Sequence, residues 1–255
     1  MKTPSPTTDT SGSDHRAAFQ GDAAAKARYV RAMFGRIAGG YDRMNDLMTA
    51  GRHRAWKRQA AQLADPSSDL PALDLCCGTG DQAFELARLR RGPVLAIDFA
   101  APMLRVAQER AQRAGMAGAV SFQEADALRL PFPDASFSAV TTSFSLRNVS
   151  GIAEFIAEMR RVVVPGGRVV TLDLLGEPRG LLAPFGRFYL SRVVPFIGRF
   201  VAGDSDAYTY LPESTGFVPS AQEIAALMEK AGLERVSYRS LALGSVAIHV
   251  GVRPL

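Results

Sequence analysis

Leu73-Asp74-Leu75-Cys76-Cys77-Gly78-Thr79-Gly80-Asp81 is an apolar run that closes on a glycine-rich turn, and a helical pattern begins directly after it. Gly78 and Gly80 let the backbone turn tightly and approach a ligand closely. Two nucleotide cofactors fit these glycines, because Gly78-x-Gly80-x-x-Ala83 also satisfies the dinucleotide fingerprint, with Asp98 as a ribose ligand at the next strand end. Asp74 helps to separate them. A carboxylate four residues before Gly78 disfavours a pyrophosphate and favours a cationic α-amino group such as that of S-adenosylmethionine. The alternative role for Asp74 is to cap the loop by accepting from its amides.

Outward from this stretch the chain alternates. The patterning predicts strands over 72–76, 94–98, 120–123, 137–143 and 168–174, with helices over 81–90, 102–114 and 153–163. A helix over 221–231, opened by Pro219-Ser220 and stopped by Gly232, precedes strands over 234–240 and 245–252. Apolar strands alternating with helices of this length imply an α/β fold, a doubly wound, mostly parallel sheet of seven strands.

Three segments lie outside the alternation. Residues 1–25 are rich in Ser, Thr, Pro and Asp and read as a disordered tail. Residues 26–68 read as an N-terminal helical segment broken at Gly39-Gly40 and Gly51, ahead of a domain over 69–255. Within that domain, residues 176–220 carry the apolar, basic stretch LLAPFGRFYLSRVVPFIGRFV, and a long insertion after a strand's carboxyl end reads as a cap over the ligand crevice.

The chain has 255 residues, 47% hydrophobic and 22% charged, which excludes collagen-like, disulfide-scaffold and wholly disordered classes. Its two cysteines are adjacent, so they build neither a disulfide framework nor a thiolate metal site, and a reducing cytosolic compartment is expected. Three isolated histidines, His15, His53 and His249, predict no metal cluster. No stretch reaches the ~18 apolar residues of a membrane span. The net charge is +5, yet residues 26–58 alone hold nine basic and two acidic side chains. Such a patch suits an anionic membrane surface or nucleic acid, or is a solvated helical face.

Asp126, after the third strand, can accept from an exocyclic adenine amine while Ala127 meets the ring; its other reading is a turn residue. With Asp74, Gly78, Gly80 and Asp98 it makes three successive strand ends that point to an adenosyl site. No Tyr is followed four residues later by Lys, which disfavours a short-chain dehydrogenase.

The span from Val30 to about Gly251 resembles the ubiquinone/menaquinone biosynthesis C-methyltransferases, S-adenosylmethionine-dependent enzymes of the class I Rossmann-like methyltransferase fold. The resemblance rests on Tyr41-Asp42-Arg43-Met44-Asn45 with His53 and Trp56, on Leu73 to Asp81, and on Leu130-Pro131-Phe132-Pro133-Asp134. It continues through Phe144-Ser145-Leu146-Arg147-Asn148-Val149, Arg161-Val162-Val163-Val164-Pro165-Gly166-Gly167 and Ala207-Tyr208-Thr209-Tyr210-Leu211-Pro212-Glu213-Ser214. Thr49, Val164, Ser145 and Asp173 depart from the usual Ser, Lys, Gly and Glu, the last two near the expected substrate side.

The resemblance implies that Thr79, Asp98, Asp126, Ala127 and Ser143 contact the methyl donor. It implies C-methylation of a prenylated quinol ring, demethylmenaquinol above all; Arg147 and Asn148, just past the fourth strand, are then expected on the quinol oxygens, with Tyr41 completing the pocket. Arginine stays protonated, so its role there is electrostatic; its alternative role is a structural donor to the cap. A bilayer-borne quinol gives the basic helices and the 181–201 segment a shared purpose, a peripheral contact on the inner face of the membrane, against the alternative of helices packed on the domain. Ring type, catalytic base and a homodimer are left open. The rival readings are methylation of another small hydrophobic acceptor, a nicotinamide-dependent oxidoreductase, and nucleic-acid methylation. The chain lacks any Pro-Pro or Pro-Cys pair, so nucleic acid is not an expected partner.

Overall fold

The structure, a computed structural model, describes residues 23–64, 69–89, 92–176, 210 and 214–255. Most of the expected tail lies outside the described residues, and helix α1 begins at Ala23 within its last three positions. The expected cap also lies outside them, apart from Gly176, Tyr210 and residues 214–220.

Three helices lead the described residues: α1 (Ala23–Ile37), α2 (Tyr41–Thr49) and α3 (Arg52–Leu63). Their breaks fall at the glycines that the sequence marks, and Gly51 takes a left-handed conformation at φ 72° before α3. The sheet then builds as β1 (Ala72–Leu75), α4 (Asp81–Leu89), β2 (Val94–Asp98), α5 (Ala101–Arg113) and β3 (Val120–Glu124). Its second half comprises β4 (Phe137–Ser143), α6 (Ile152–Val162), β5 (Val163–Leu174), α7 (Ala221–Lys230), β6 (Glu234–Leu241) and β7 (Val246–Val252). A full capping box opens α7, in which Ser220 and Glu223 bond each other's backbone N–H groups.

The seven strands order as β3-β2-β1-β4-β5-β7-β6. β7 runs antiparallel to both neighbours, and the remaining pairings are parallel. β1 is buried along its whole length, as expected for a central strand covered on both faces. β6 is an edge strand, mostly exposed, and its Glu234, Arg235 and Arg239 discourage further strand pairing.

Helices cover both faces. On one, Phe155, Ile156 and Met159 of α6 and Ile224 and Met228 of α7 pack with Leu73, Leu75 and Val140. On the other, Ala60, Ala61, Ala83, Phe84 and Leu104 from α3, α4 and α5 pack with Val94, Val170 and Ile248. A smaller cluster joins Val30, Met33 and Met44 to Met103 and Tyr210, which docks α1 and α2 beside α5. The order reverses at β1, between β2 and β4, and ligands of open α/β sheets bind in the crevice beyond the carboxyl ends of such strands.

Candidate active site

Strands β3, β2, β1 and β4 are adjacent and parallel, so the residues at their carboxyl ends share one edge of the sheet. That edge brings together Asp74 near the end of β1 with Gly78, Thr79 and Gly80 after it, Asp98 at the end of β2, Asp126 and Ala127 after β3, and Ser143 at the end of β4 with Arg147 and Asn148 after it. Tyr41 arrives from α2 rather than from the sheet. Cys76 and Phe144, the residues that follow β1 and β4, both lie in the left-handed region at φ 52° and 58°, a strained backbone of the kind held at functional sites.

The glycine turn is built around Asp98. Its Oδ2 accepts from Gly78 N at 2.9 Å and its Oδ1 from Ala100 N at 2.9 Å. Each oxygen keeps a further lone pair for a ribose hydroxyl. Burial raises the Asp98 pKa, against the bonds from Ala100 and Gly78. Gly78 has φ +53°, and a Cβ there would meet only Tyr41 Cε1, at 3.8 Å, so the turn leaves open space where a ligand's backbone contacts would lie.

Asp74 is fully buried. Its Oδ1 accepts from Thr141 Oγ1 of β4 at 2.8 Å, while Oδ2 has no hydrogen-bond partner among the described residues. Burial pushes its pKa up to about 7, opposed by the Thr141 bond and the Lys57 charge. Close by in sequence, Gln82 in the first turn of α4 accepts from Ser143 Oγ at 3.0 Å through Oε1, and its buried Nε2 lacks a partner among the described residues. A buried carboxylate and a buried amide donor, each with an orphaned atom, match the ammonium and carboxylate of an amino-acid moiety. The donor set therefore fits S-adenosylmethionine. Asp126 is exposed, and its Oδ1 accepts from Leu128 N at 2.9 Å in an Asx turn, whereas Ala127 is buried in the core.

Beyond β4 the chain forms a hydrogen-bonded turn, Asn148 N to Ser145 O at 2.8 Å. Arg147, 9% exposed, donates to Phe144 O at 3.3 Å, and Asn148 Nδ2 reaches the same oxygen at 3.4 Å. Arg147 Nε and Asn148 Oδ1 are buried without partners among the described residues, so a donor and an acceptor are left for an oxygen-bearing acceptor. Asp173 supports this turn from β5, and burial pushes its pKa up to about 6 against the Leu146 N–H bond and the Arg147 charge.

Some supporting residues carry little signal in their immediate sequence. Lys57 of α3 is buried and donates to Asp81 Oδ2 at 3.0 Å, and Arg110 of α5 donates to Asp81 Oδ1 at 2.6 Å. Against the effect of burial, these two charges hold the Asp81 carboxyl well below the usual range. His53 Nε2 bonds Asp46 Oδ1 at 2.9 Å, and its Nδ1 lies 3.7 Å from Asp81 Oδ2. Burial lowers the His53 pKa and favours the neutral ring. Asp42 of α2 accepts from Thr79 Oγ1 at 2.5 Å and pairs with Arg110 at 3.0 Å. Asp42, His53 and Asp81 lie in the motif blocks quoted above, whereas Lys57 shows in the sequence only through its spacing one helical turn from His53.

Of the other two histidines, His15 lies outside the described residues, and His249, like both cysteines, is structural. His249 donates from Nε2 to Ala221 O at 2.9 Å, and burial pushes its pKa down to about 4. Cys76 and Cys77 are free thiols pushed up by burial. Among the described residues no group of His, Cys, Asp or Glu could hold a metal ion, and no helix is long and apolar enough to cross a membrane.

Comparisons with known proteins identify relatives of the whole chain. A demethylmenaquinone methyltransferase of Roseiflexus castenholzii is 44% identical over 232 residues, 89% of this chain and 94% of that one. The ubiquinone/menaquinone biosynthesis C-methyltransferase UbiE of Pseudomonas aeruginosa is 40% identical over 231 residues, 90% of each chain. Among solved structures, an S-adenosylmethionine-dependent methyltransferase from Aquifex aeolicus superimposes with a TM-score of 0.57 at 20% identity, over 83% of this chain and 96% of that one, a likeness of fold. The model of the ubiE/COQ5 methyltransferase family matches residues 22–253, nearly the whole chain. With the glycine turn, the orphaned Asp74 and Gln82 atoms and the Arg147-Asn148 turn on one sheet edge, this chain belongs to the ubiE/COQ5 methyltransferase family.

Proposed function

We infer that this chain methylates a ring carbon of a prenylated quinol, with demethylmenaquinol as the acceptor. The observation that carries the reading is the adjacency of two half-sites across the β1/β4 switch point: Asp74 and Gly78 on one strand end, Arg147 and Asn148 on the next. The names of the relatives support the quinol as acceptor.

When bound, S-adenosylmethionine supplies an electrophilic methyl group on a sulfonium. Asp74 and Gln82 hold its amino-acid end, Asp98 the ribose, and Asp126 with Ala127 the adenine. A hydroquinone carbon becomes nucleophilic as a ring hydroxyl loses its proton, so the acceptor must be held in line and its developing phenolate stabilised. Arg147, permanently protonated and buried, places positive charge at the quinol oxygen, where a low dielectric strengthens it. Asn148 fixes the ring's orientation, and Tyr41 closes the crevice above Gly78.

The membrane is where such an acceptor resides, and the N-terminal helices provide the contact. Within the basic segment, Arg31, Arg54, Lys57 and Arg58 are committed to Glu124, Asp46, Asp81 and Glu85. Arg28, Arg43 and Arg52 are exposed without an ion pair among the described residues, and Leu47 of α2 is 47% exposed one turn from Arg43. This narrower surface binds anionic lipid peripherally, at the inner face of the membrane. Co-sedimentation that is indifferent to anionic lipid and salt would count against it.

The reaction is tested with labelled S-adenosylmethionine and reduced demethylmenaquinol or demethylated benzoquinol in separate detergent reactions. Label in the extracted menaquinol supports the reading. Transfer to the benzoquinol alone reassigns the ring, and binding without transfer to either overturns the quinol acceptor.

A further inference from the structure

The turn that carries Arg147 is held by a buried carboxylate. Asp173 of β5 is 1% exposed. Its Oδ2 accepts from both Ser145 N and Leu146 N, each at 2.7 Å, and its Oδ1 accepts from Leu174 N at 2.9 Å. Two consecutive N–H groups converging on one anionic oxygen fix the peptide planes on both sides of Ser145. A second tie acts on the same residue. Thr142 Oγ1 donates to Leu75 O at 2.9 Å, so its contact with Ser145 Oγ at 2.6 Å is accepted from the Ser145 hydroxyl.

These ties act two residues before Arg147. Leu146, 1% exposed, anchors the turn in the core, and Asn148 N closes it onto Ser145 O. Arg147 therefore has its backbone set on the N-terminal side by Asp173 and by the Thr142-Ser145 brace, and the only direct bond of its guanidinium among the described residues is to Phe144 O. Without the carboxylate, two buried N–H groups lose their acceptor and the turn has no reason to keep this conformation.

We propose that Asp173, with Ser145, is the positioning residue that sets Arg147 and Asn148 against the methyl acceptor without touching donor or acceptor. The proposal rests on the reading that Arg147 and Asn148 bind the acceptor oxygens. It separates the two halves of the site: Asp173 governs the acceptor side, while Asp74, Gly78 and Asp98 govern the donor side.

Three donors face the two Asp173 oxygens, so Asp173→Asn cannot satisfy them: whichever way the amide is turned, its NH2 opposes an N–H, that of Leu174 or those of Ser145 and Leu146, and a neutral oxygen holds the turn less firmly than the carboxylate does. Displacement of Arg147 then lowers kcat by about 100-fold, as misplacement of a binding group by an ångström does. The dissociation constant for S-adenosylmethionine, measured by titration calorimetry on the full chain, stays within about threefold, since the donor half-site is untouched. Asp173→Glu restores the carboxylate and recovers at least about tenfold of the lost kcat. Ser145→Ala, which removes only the brace, lowers kcat by about tenfold with donor affinity unchanged.

An Asp173→Asn protein that turns over normally, or one that loses donor affinity as much as kcat, overturns the proposal; so does equal impairment of Asn and Glu variants. If Asp173→Asn fails to fold, the Ser145→Ala result decides, and an unchanged kcat overturns it. Arg147→Ala in the same assay keeps the two readings apart. Turnover that survives Arg147→Ala removes the assignment of Arg147 itself, whereas an inactive Arg147→Ala beside a fully active Asp173→Asn removes only the positioning role.

Discussion

Lys57 Nζ lies 3.0 Å from Asp81 Oδ2, a buried pair that ties helix α3 to the first residue of α4, directly after the glycine turn. Helix α3 is thus fastened to the element that follows the glycine turn. Asp42 adds a second tie from α2 to Thr79 and Arg110.

Breaking this pair from the acidic side is expected to be costly. Asp81→Asn leaves the Lys57 ammonium buried beside a neutral amide and lowers unfolding stability by about 3 kcal/mol, measured by urea denaturation. Lys57→Met costs less, because Arg110 still neutralises Asp81 and the methionine fills the space of the lysine stem. Equal losses in the two variants would sink this account of the network.

Asp74 makes donor binding depend on pH. Its folded-state pKa of about 7 exceeds the ordinary value of 3.8. Without ligand the protonated form therefore predominates below about pH 7, and the stability linked to it, full below the ordinary value, is lost as pH rises through about 7. Pairing with the donor's ammonium requires the carboxylate. The thermal shift induced by S-adenosylmethionine is expected to grow between pH 6 and pH 7.5, and Asp74→Asn to give a smaller shift with no such growth. A wild-type shift that is flat over this range contradicts the ion pair.

Arg147→Ala is expected to abolish detectable quinol methylation, a loss of at least about 1,000-fold, while donor affinity changes by less than about threefold. Arg147→Lys recovers little, because an ammonium cannot reproduce the planar guanidinium donors. The measurement is initial rate against quinol concentration, with donor affinity read separately by calorimetry.

The two glycines of the turn should fail in different ways. A Cβ on Gly80 (φ +92°) would stand 3.0 Å from Phe84 Cζ and 3.4 Å from Ala107 Cβ, so Gly80→Ala combines backbone strain with crowding and costs about 2 kcal/mol of stability. A Cβ on Gly78 enters open space near Tyr41, so Gly78→Ala costs about 1 kcal/mol through strain alone and weakens donor binding more than Gly80→Ala does. Thermal unfolding and donor titration on both variants check the contrast.

The sequence by itself determined the strand and helix alternation, the glycine turn after β1 and the breaks between the N-terminal helices. These are local: apolar period, glycine conformation and capping residues act within a few positions, and β2 and β4 begin and end where the pattern places them. It also placed Asp74, Asp98 and Arg147 at strand ends, because parallel strands of an alternating chain must share one carboxyl edge. β5 shows where local reading stops. Pro165-Gly166-Gly167 reads as a turn before a strand at 168, yet the strand runs from Val163, with Gly166 N bonded to Arg253 O and Arg253 N bonded to Gly167 O. A partner segment almost ninety residues away overrides the local preference, and the register shift opposite Phe137 and Ala139 accommodates the proline.

Only the tertiary structure decided which carboxylate does what. Asp98 spends one lone pair on the Gly78 amide of the turn and one on Ala100 N, Asp126 turns its carboxylate to Leu128 N, and Asp173 accepts from a loop 28 residues before it. Asp81 gathers Lys57 and Arg110 from 24 and 29 residues away. Such roles follow from which buried donors converge on an oxygen, and convergence of that kind is set by helix packing and strand order, which no local spacing encodes.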